Sequence, residues 1–264
     1  MNKAFKIILV MALVFALSIV LVPILYPFLS SWFKFERIFN RLVMVFTIAA
    51  AVGFVLIPGL RKGGRLFDST LWRDYGFDFE KPWRRLFIYG FLTGALTVVL
   101  MATVEVAFGP RYLRQPVLIS DVIQRFLKGM LSGMAVGIIE EFFFRGFIFG
   151  HLKRALPVWI AVIAASAFYS LTHFLDNGQI FIPEHPTMRD AFRLLLGYAE
   201  PILRRPLDIS PQFMGLFLFG VALNVAFIRT GSLFFPMGLH AGCVFLIKWQ
   251  YSFVRPGPEV HDSF

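Results

Sequence analysis

Charge is scarce in this chain: Asp, Glu, Lys and Arg together make up 16% of its 264 residues, where ordinary soluble domains carry about a quarter. Cysteine is scarcer still. Cys243 stands alone, so no internal disulfide is available and helix packing must hold the fold. No low-complexity tail and no internal repeat is present, which argues for one helical domain over residues 1–264 rather than an array. What fills the space is apolar: 58% hydrophobic residues, 33 of them Phe, and a mean hydropathy of +0.71. A chain this apolar is neither disordered nor a soluble globule. Its solvent is lipid.

Acidic residues are outnumbered by basic ones, 16 against 26, for a net charge of +10. No basic aromatic motif accompanies the bases, so nucleic acid is not an expected partner. They lie between apolar runs, where they meet anionic lipid headgroups and set topology.

A bilayer core needs roughly 20 apolar residues per helix. Candidate stretches run from about Ile7 to Leu25, Leu42 to Leu60, Leu86 to Phe108, Met130 to His151, Leu156 to Leu175, Gln212 to Ile228 and Ser232 to Ile247. The expected fold is therefore all-α, a polytopic transmembrane bundle of about seven to eight helices. Residues 1–125 form its N-terminal helices and 126–250 the core that carries the motifs. The first stretch is too long for a signal peptide and reads as a retained helix. Trp32, Trp72, Trp83, Trp159 and Trp249 fall near the span ends, as interfacial anchors do. The connector containing Arg61, Lys62, Arg65, Arg73, Lys81, Arg84 and Arg85 is the most basic, which places it and the N-terminus in the cytoplasm of a multi-pass plasma-membrane protein.

Between the fifth and sixth stretches, Asp176 to Pro211 is polar and broken by prolines. Its middle, Met188 to Tyr198, has the pattern of a short amphipathic helix, lying on the interface or acting as a lid.

Within the fourth stretch, the run GIIEEFFFRGFIFG places Glu140, Glu141 and Arg145 at membrane depth. Each such charge costs on the order of 2.5–3.5 kcal/mol at a helix centre. Glu141 and Arg145, four residues apart, share a helix face and can neutralise each other. Glu140 points about 100° away. A buried carboxylate left without that partner can take up and return protons. Polar company comes from Tyr169 and His173 in YSLTH on the fifth stretch and from His240 in FPMGLHAGCVF on the seventh. A lone intramembrane His is more often a packing residue than a catalyst, but two imidazoles and a carboxylate pair on three apolar segments shift that balance. His151, His185 and His261 lie at helix ends or in polar segments.

EEFFFRG, the Tyr169 and His173 pair, and His240 together resemble the three ordered motifs of the CPBP family of CAAX proteases and bacteriocin-processing (Abi) enzymes, which includes the type II CAAX prenyl endopeptidase. The likeness covers Glu140 to His240 and implies an intramembrane endopeptidase. In it Glu140 would activate water, His173 would help hold it, Glu141 would pair with Arg145, and His240 would stabilise the oxyanion. Tyr169 would support the site. Where the family has a polar residue four positions after the third-motif His, this chain has Val244, with Cys243 one place earlier. Asn224, on the sixth stretch, is a candidate substitute donor.

The chemistry stands without the family. Hydrolysis needs a base, groups that hold the water, and donors where the carbonyl oxygen becomes negative. Glu140, His173 and His240 supply these with no cofactor. The same three also form a zinc set with an open position, the metalloprotease alternative. Neither HExxH nor GxGD occurs. Expected partners are membrane lipids and a protein or peptide substrate, prenylated ends among them. Two other functions compete: an inactive membrane scaffold or regulator of the same family, made credible by Val244, and a proton-coupled transporter using the three groups as a relay.

Overall fold

The computed structural model describes residues 3–61, 72–109, 111–174, 181–204 and 206–257. Lys62 and Arg65 of the basic connector, Asp176 and His261 lie outside them. The architecture is all-α apart from one short two-stranded ribbon, with α1 (Lys3–Leu29), α2 (Phe35–Arg61), α3 (Trp83–Ala107), β1 (Arg111–Leu113), α4 (Ile119–Glu141), a π-helical segment (Phe142–Phe149), α5 (Gly150–Ala155), α6 (Val158–Thr172), α7 (Met188–Tyr198), α8 (Glu200–Arg204), α9 (Pro206–Thr230), α10 (Phe234–Gln250) and β2 (Val254–Pro256). Among the described residues, four helices are long and apolar enough to cross a membrane by length and composition: Leu9–Leu29, Trp83–Ala107, Ile119–Ala155 and Pro206–Thr230. Val158–Thr172 is a shorter apolar helix. The chain folds as two compact units, one of residues 1–66 and 163–220, the other of residues 67–162 and 221–264.

The first unit is centred on Val22, Phe35, Ile38, Phe39, Ala191, Leu194 and Tyr198. The 3.6-residue period of α7 puts Ala191, Leu194 and Tyr198 on one face, and that face packs into this core, while Met188, Phe192 and Leu196 stay exposed. The Tyr198 hydroxyl, carried inward with its ring, donates to Asn40 Oδ1 at 2.6 Å. The helix starts at a capping box in which the Thr187 backbone N–H and hydroxyl donate to Asp190 Oδ2 at 2.9 and 2.8 Å.

Those donors hold the Asp190 carboxyl below the usual carboxylate range, the backbone bond contributing most. The cap is therefore complete above the ordinary carboxylate pKa and is lost as pH falls through the lowered value. Thr187→Ala, which removes the hydroxyl, is expected to cost about 1 kcal/mol. Faster amide exchange over residues 188–192, in the variant at neutral pH and in the parent in acid, is the measurement; unchanged exchange in both would remove the cap from the account.

The second unit is built around α10, which lies between α3 and α4. Three small-residue repeats make this possible: Gly90 and Gly94 on α3, Gly129, Gly133 and Gly137 on α4, and Gly238 and Gly242 on α10 itself. A Cβ at Gly238 would stand 2.0 Å from the Phe87 carbonyl oxygen and one at Gly94 2.1 Å from that of Leu239; at Gly137 it would meet the Met237 oxygen at 2.7 Å. Only hydrogen side chains allow backbones this close, and in lipid such packing is a main source of helix association. Gly238→Ala is accordingly expected to lower stability by about 1–3 kcal/mol, since the strain falls on backbone rather than on a movable side chain. A detergent-solubilised variant melting at the parent temperature would contradict this packing.

Polar groups on the lipid-exposed side of α3 are satisfied locally. Thr93, Thr97 and Thr103 each donate to the carbonyl four residues back, at 2.7, 2.9 and 2.8 Å. The turn between α9 and α10 is braced by Lys81, whose Nζ donates to the Thr230 and Gly231 carbonyls at 2.8 and 3.0 Å. A cation at a helix C-terminus also suits the macrodipole. Gly231 has φ +58°, the left-handed conformation that ends a helix. Beyond α10, β2 pairs antiparallel with β1, and Glu105 near the end of α3 pairs with Arg111 Nε at 2.7 Å.

Candidate active site

Helices α4 and α10 of the second unit bring three of the singled-out residues together. Close passage of Gly133 and Gly137 along Ala241 and Met237 puts the end of α4 beside His240. Glu141 Oε1 then accepts two hydrogen bonds at once, from Arg145 Nη1 at 2.8 Å and from His240 Nδ1 at 2.8 Å. All three side chains are buried, to 0%, 1% and 4% exposure respectively, so their pairing acts in a low-dielectric setting where leaving one charge alone would be costly.

The chain changes helix type here. From Phe142 to Phe149 the backbone is π-helical, and Arg145 lies inside that stretch. Such widened turns recur at functional sites because they redirect side chains. Arg145 still reaches back four residues to Glu141, and its guanidinium lies 5.8 Å from the centre of the Phe144 ring. Phe142 packs against Phe77 and Trp72, with ring centres 5.8 and 6.2 Å apart, and Gly146 permits close approach of the Tyr75 carbonyl. The aromatic turn before α3 thus fixes the π segment from outside.

Glu140 precedes Glu141 on the last α-helical turn and is half-buried. Its neighbour is tied on two sides, so the backbone that carries it is fixed. Asn224, on α9, is 1% exposed. Val244 is half-buried, and the Cys243 thiol donates to the Gly94 carbonyl at 3.5 Å, so Cys243 turns toward α3.

Tyr169 and His173 belong to the first unit. Tyr169 is buried at 1% exposure on α6; its ring lies 4.5 Å from the His173 ring and 6.4 Å from that of Phe219. His173 stands one residue past the end of α6 and is exposed. The sequence pattern places it within the apolar stretch; in the structure the chain leaves the helix just before it, with the His173 N–H donating to the Ser170 carbonyl at 3.1 Å. Its Nδ1 donates to the Tyr169 carbonyl at 2.8 Å. A carbonyl only accepts, so Nδ1 carries a proton.

Two imidazoles are therefore each oriented through Nδ1, His240 by the Glu141 carboxylate and His173 by the Tyr169 carbonyl, as histidines of bases and metal sites are. Among the described residues no three His, Cys, Asp or Glu side chains gather as metal ligands would. Pairing of His240 with Glu141 is the feature that spacing does not reveal, because the residues are 99 positions apart. The glycine repeats at 129, 133 and 137 and at 238 and 242 are the signal that would have pointed to it.

No curated protein and no solved structure matches the chain. A family model does: that of the Rce1-like type II CAAX prenyl endopeptidases, over residues 122–246. Its bounds enclose every motif residue from Glu140 to His240. With four apolar helices of spanning length, the chain is an integral membrane protein of the helical, polytopic kind. Residues 122–246, somewhat under half of the chain, are similar to the Rce1-like type II CAAX prenyl endopeptidases.

Proposed function

We propose that the protein is an intramembrane endopeptidase that hydrolyses a peptide bond in a membrane-associated or lipidated protein, using water activated by Glu140. The observation that carries this is the Glu141 carboxylate clamped by Arg145 and His240, which fixes the backbone of Glu140 beside an imidazole oriented through Nδ1. In this reading Glu140 takes a proton from water as the hydroxide attacks the carbonyl carbon, and His173 Nε2 accepts from the same water and holds it. As the carbonyl oxygen gains charge, His240 donates to it from Nε2 while Glu141 holds Nδ1. Glu140 then returns the proton to the leaving amine. Tyr169 supports His173 from beneath. Asn224 is the further donor in place of the polar residue absent at Val244. The protein lies in the plasma membrane, its N-terminus in the cytoplasm.

The family points to prenylated CAAX ends as the first substrate class to try. Purified protein in liposomes should cleave a farnesylated CAAX peptide and leave the unprenylated peptide intact. Cleavage of a leader-type peptide instead would move the substrate and keep the reaction. If no peptide is cut and protons cross the liposome membrane in a Glu140-dependent way, the transporter reading replaces this one. Val244 favours a second reading, a scaffold of the same family without turnover; neither cleavage nor proton flux would establish it.

A further inference from the structure

At the far end of α10 from the turn braced by Lys81 lies a cavity of about 440 Å³, lined by Val99, Ala102 and Val106 of α3, by Leu246 and Trp249 of α10, and by Phe253. Its volume falls within the roughly 300–1,000 Å³ of small-molecule sites. Gln250, which also borders it, is ten residues from His240, about 15 Å along the helix. The cavity is thus separate from the Glu141 cluster, and its α3 and Phe253 walls lie outside residues 122–246.

Its position and polarity select the occupant. The α3 wall is the last two and a half turns of a membrane-spanning helix whose Leu96, Val99, Leu100 and Val104 are exposed to lipid, so the cavity opens where acyl chains meet the polar interface. The hydroxyl of Thr103, the polar residue on the α3 side, is spent on the Val99 carbonyl. Hydrocarbon is what these walls accept.

At the outer edge the chemistry changes. The Trp249 indole N–H and the Gln250 side-chain oxygen, both on residues lining the cavity, are buried without hydrogen-bond partners, as are the Ser252 hydroxyl and Arg111 Nη1 nearby in the chain and the ribbon. Leaving such groups unpaired is costly, and native structures rarely do so. Of these atoms two are donors only, one donates or accepts, and one accepts. A ligand with a hydrocarbon chain and a head of acceptor oxygens, ester carbonyls and phosphate, plus a hydroxyl that donates to the Gln250 oxygen, answers that set.

We infer that this cavity is a binding site for one glycerophospholipid, its acyl chain between α3 and α10 and its ester and phosphate oxygens toward Trp249, Ser252 and Arg111. Such a lipid braces the helix that carries His240 from the end opposite the Lys81 turn. The site does not depend on the proposed hydrolysis.

The test uses the full chain, reconstituted with a phosphatidylglycerol that bears a photoreactive diazirine in its acyl chain. Labelled peptides should map to residues 99–106 and 246–254, and excess unlabelled phosphatidylglycerol should compete the label away. Ala102→Trp, which fills the cavity, should lose this label while keeping the weaker, non-competed label of the exposed face at Leu92, Leu96 and Leu100. Label spread evenly along α3, or unchanged in Ala102→Trp, would mean an ordinary lipid annulus and overturn the site. Should Ala102→Trp fail to fold, competition in the parent decides alone: label at these two segments that excess lipid does not reduce rejects the proposal.

Discussion

Replacing Glu140 by glutamine is expected to lower peptide hydrolysis by about 10²–10⁴-fold, the usual contribution of a positioned general base. Glutamine keeps the size and the hydrogen-bonding reach of the side chain and loses only its capacity to take a proton. Glu141, which the structure ties to Arg145 and His240 at 2.8 Å each, is untouched, so folding and abundance should hold. The loss should appear in kcat, with KM little changed, because the proton moves in the transition state and not on binding. A Glu140→Gln protein that cuts substrate at the parent rate would remove Glu140 from the mechanism. Turnover lost together with expression would instead make the residue structural.

Arg145→Met carries the largest expected effect on stability, about 3–5 kcal/mol, because it strands the buried Glu141 carboxylate with only His240 for company. Methionine retains most of the volume and much of the contact with Phe144, so the loss reports the charge rather than a cavity. The cycle is completed by Glu141→Gln. Removing both charges should recover much of what Arg145→Met alone costs, since a buried ion pair replaced on both sides is often close to neutral. Thermal melting in detergent reads all four proteins. Additive losses would show that Arg145 and Glu141 do not act as a pair, against the geometry seen here.

The buried charged residues were legible because lipid makes charge conspicuous. Glu140, Glu141 and Arg145 stand out in GIIEEFFFRGFIFG as they would not in a soluble helix, and four-residue spacing is enough to pair Glu141 with Arg145. The amphipathic period of residues 188–198 likewise gave the bounds of α7, though not that its apolar face is taken up by α1 and α2 instead of lipid. Spacing failed where the backbone departs from an ideal helix. It assumed 100° per residue through residues 142–149, which are π-helical, and it carried His173 inside a helix that stops at Thr172. Long-range partners were hidden for another reason. A histidine's neighbour 99 residues away is set by which helices can touch, and that is written in glycines, which carry no hydropathy signal.

The glycine contacts on both flanks of α10 bear on how a substrate gets in. A rod wedged backbone to backbone between two neighbours has no side chains to rearrange and no slack to tilt, so His240 is as stationary as a post set in masonry. If the proposed hydrolysis holds, a peptide must be threaded to that post and stopped with its scissile carbonyl in register. On that reading the aim is built into α3, α4 and α10 before a substrate arrives, and freedom to admit one has to reside in other parts of the chain.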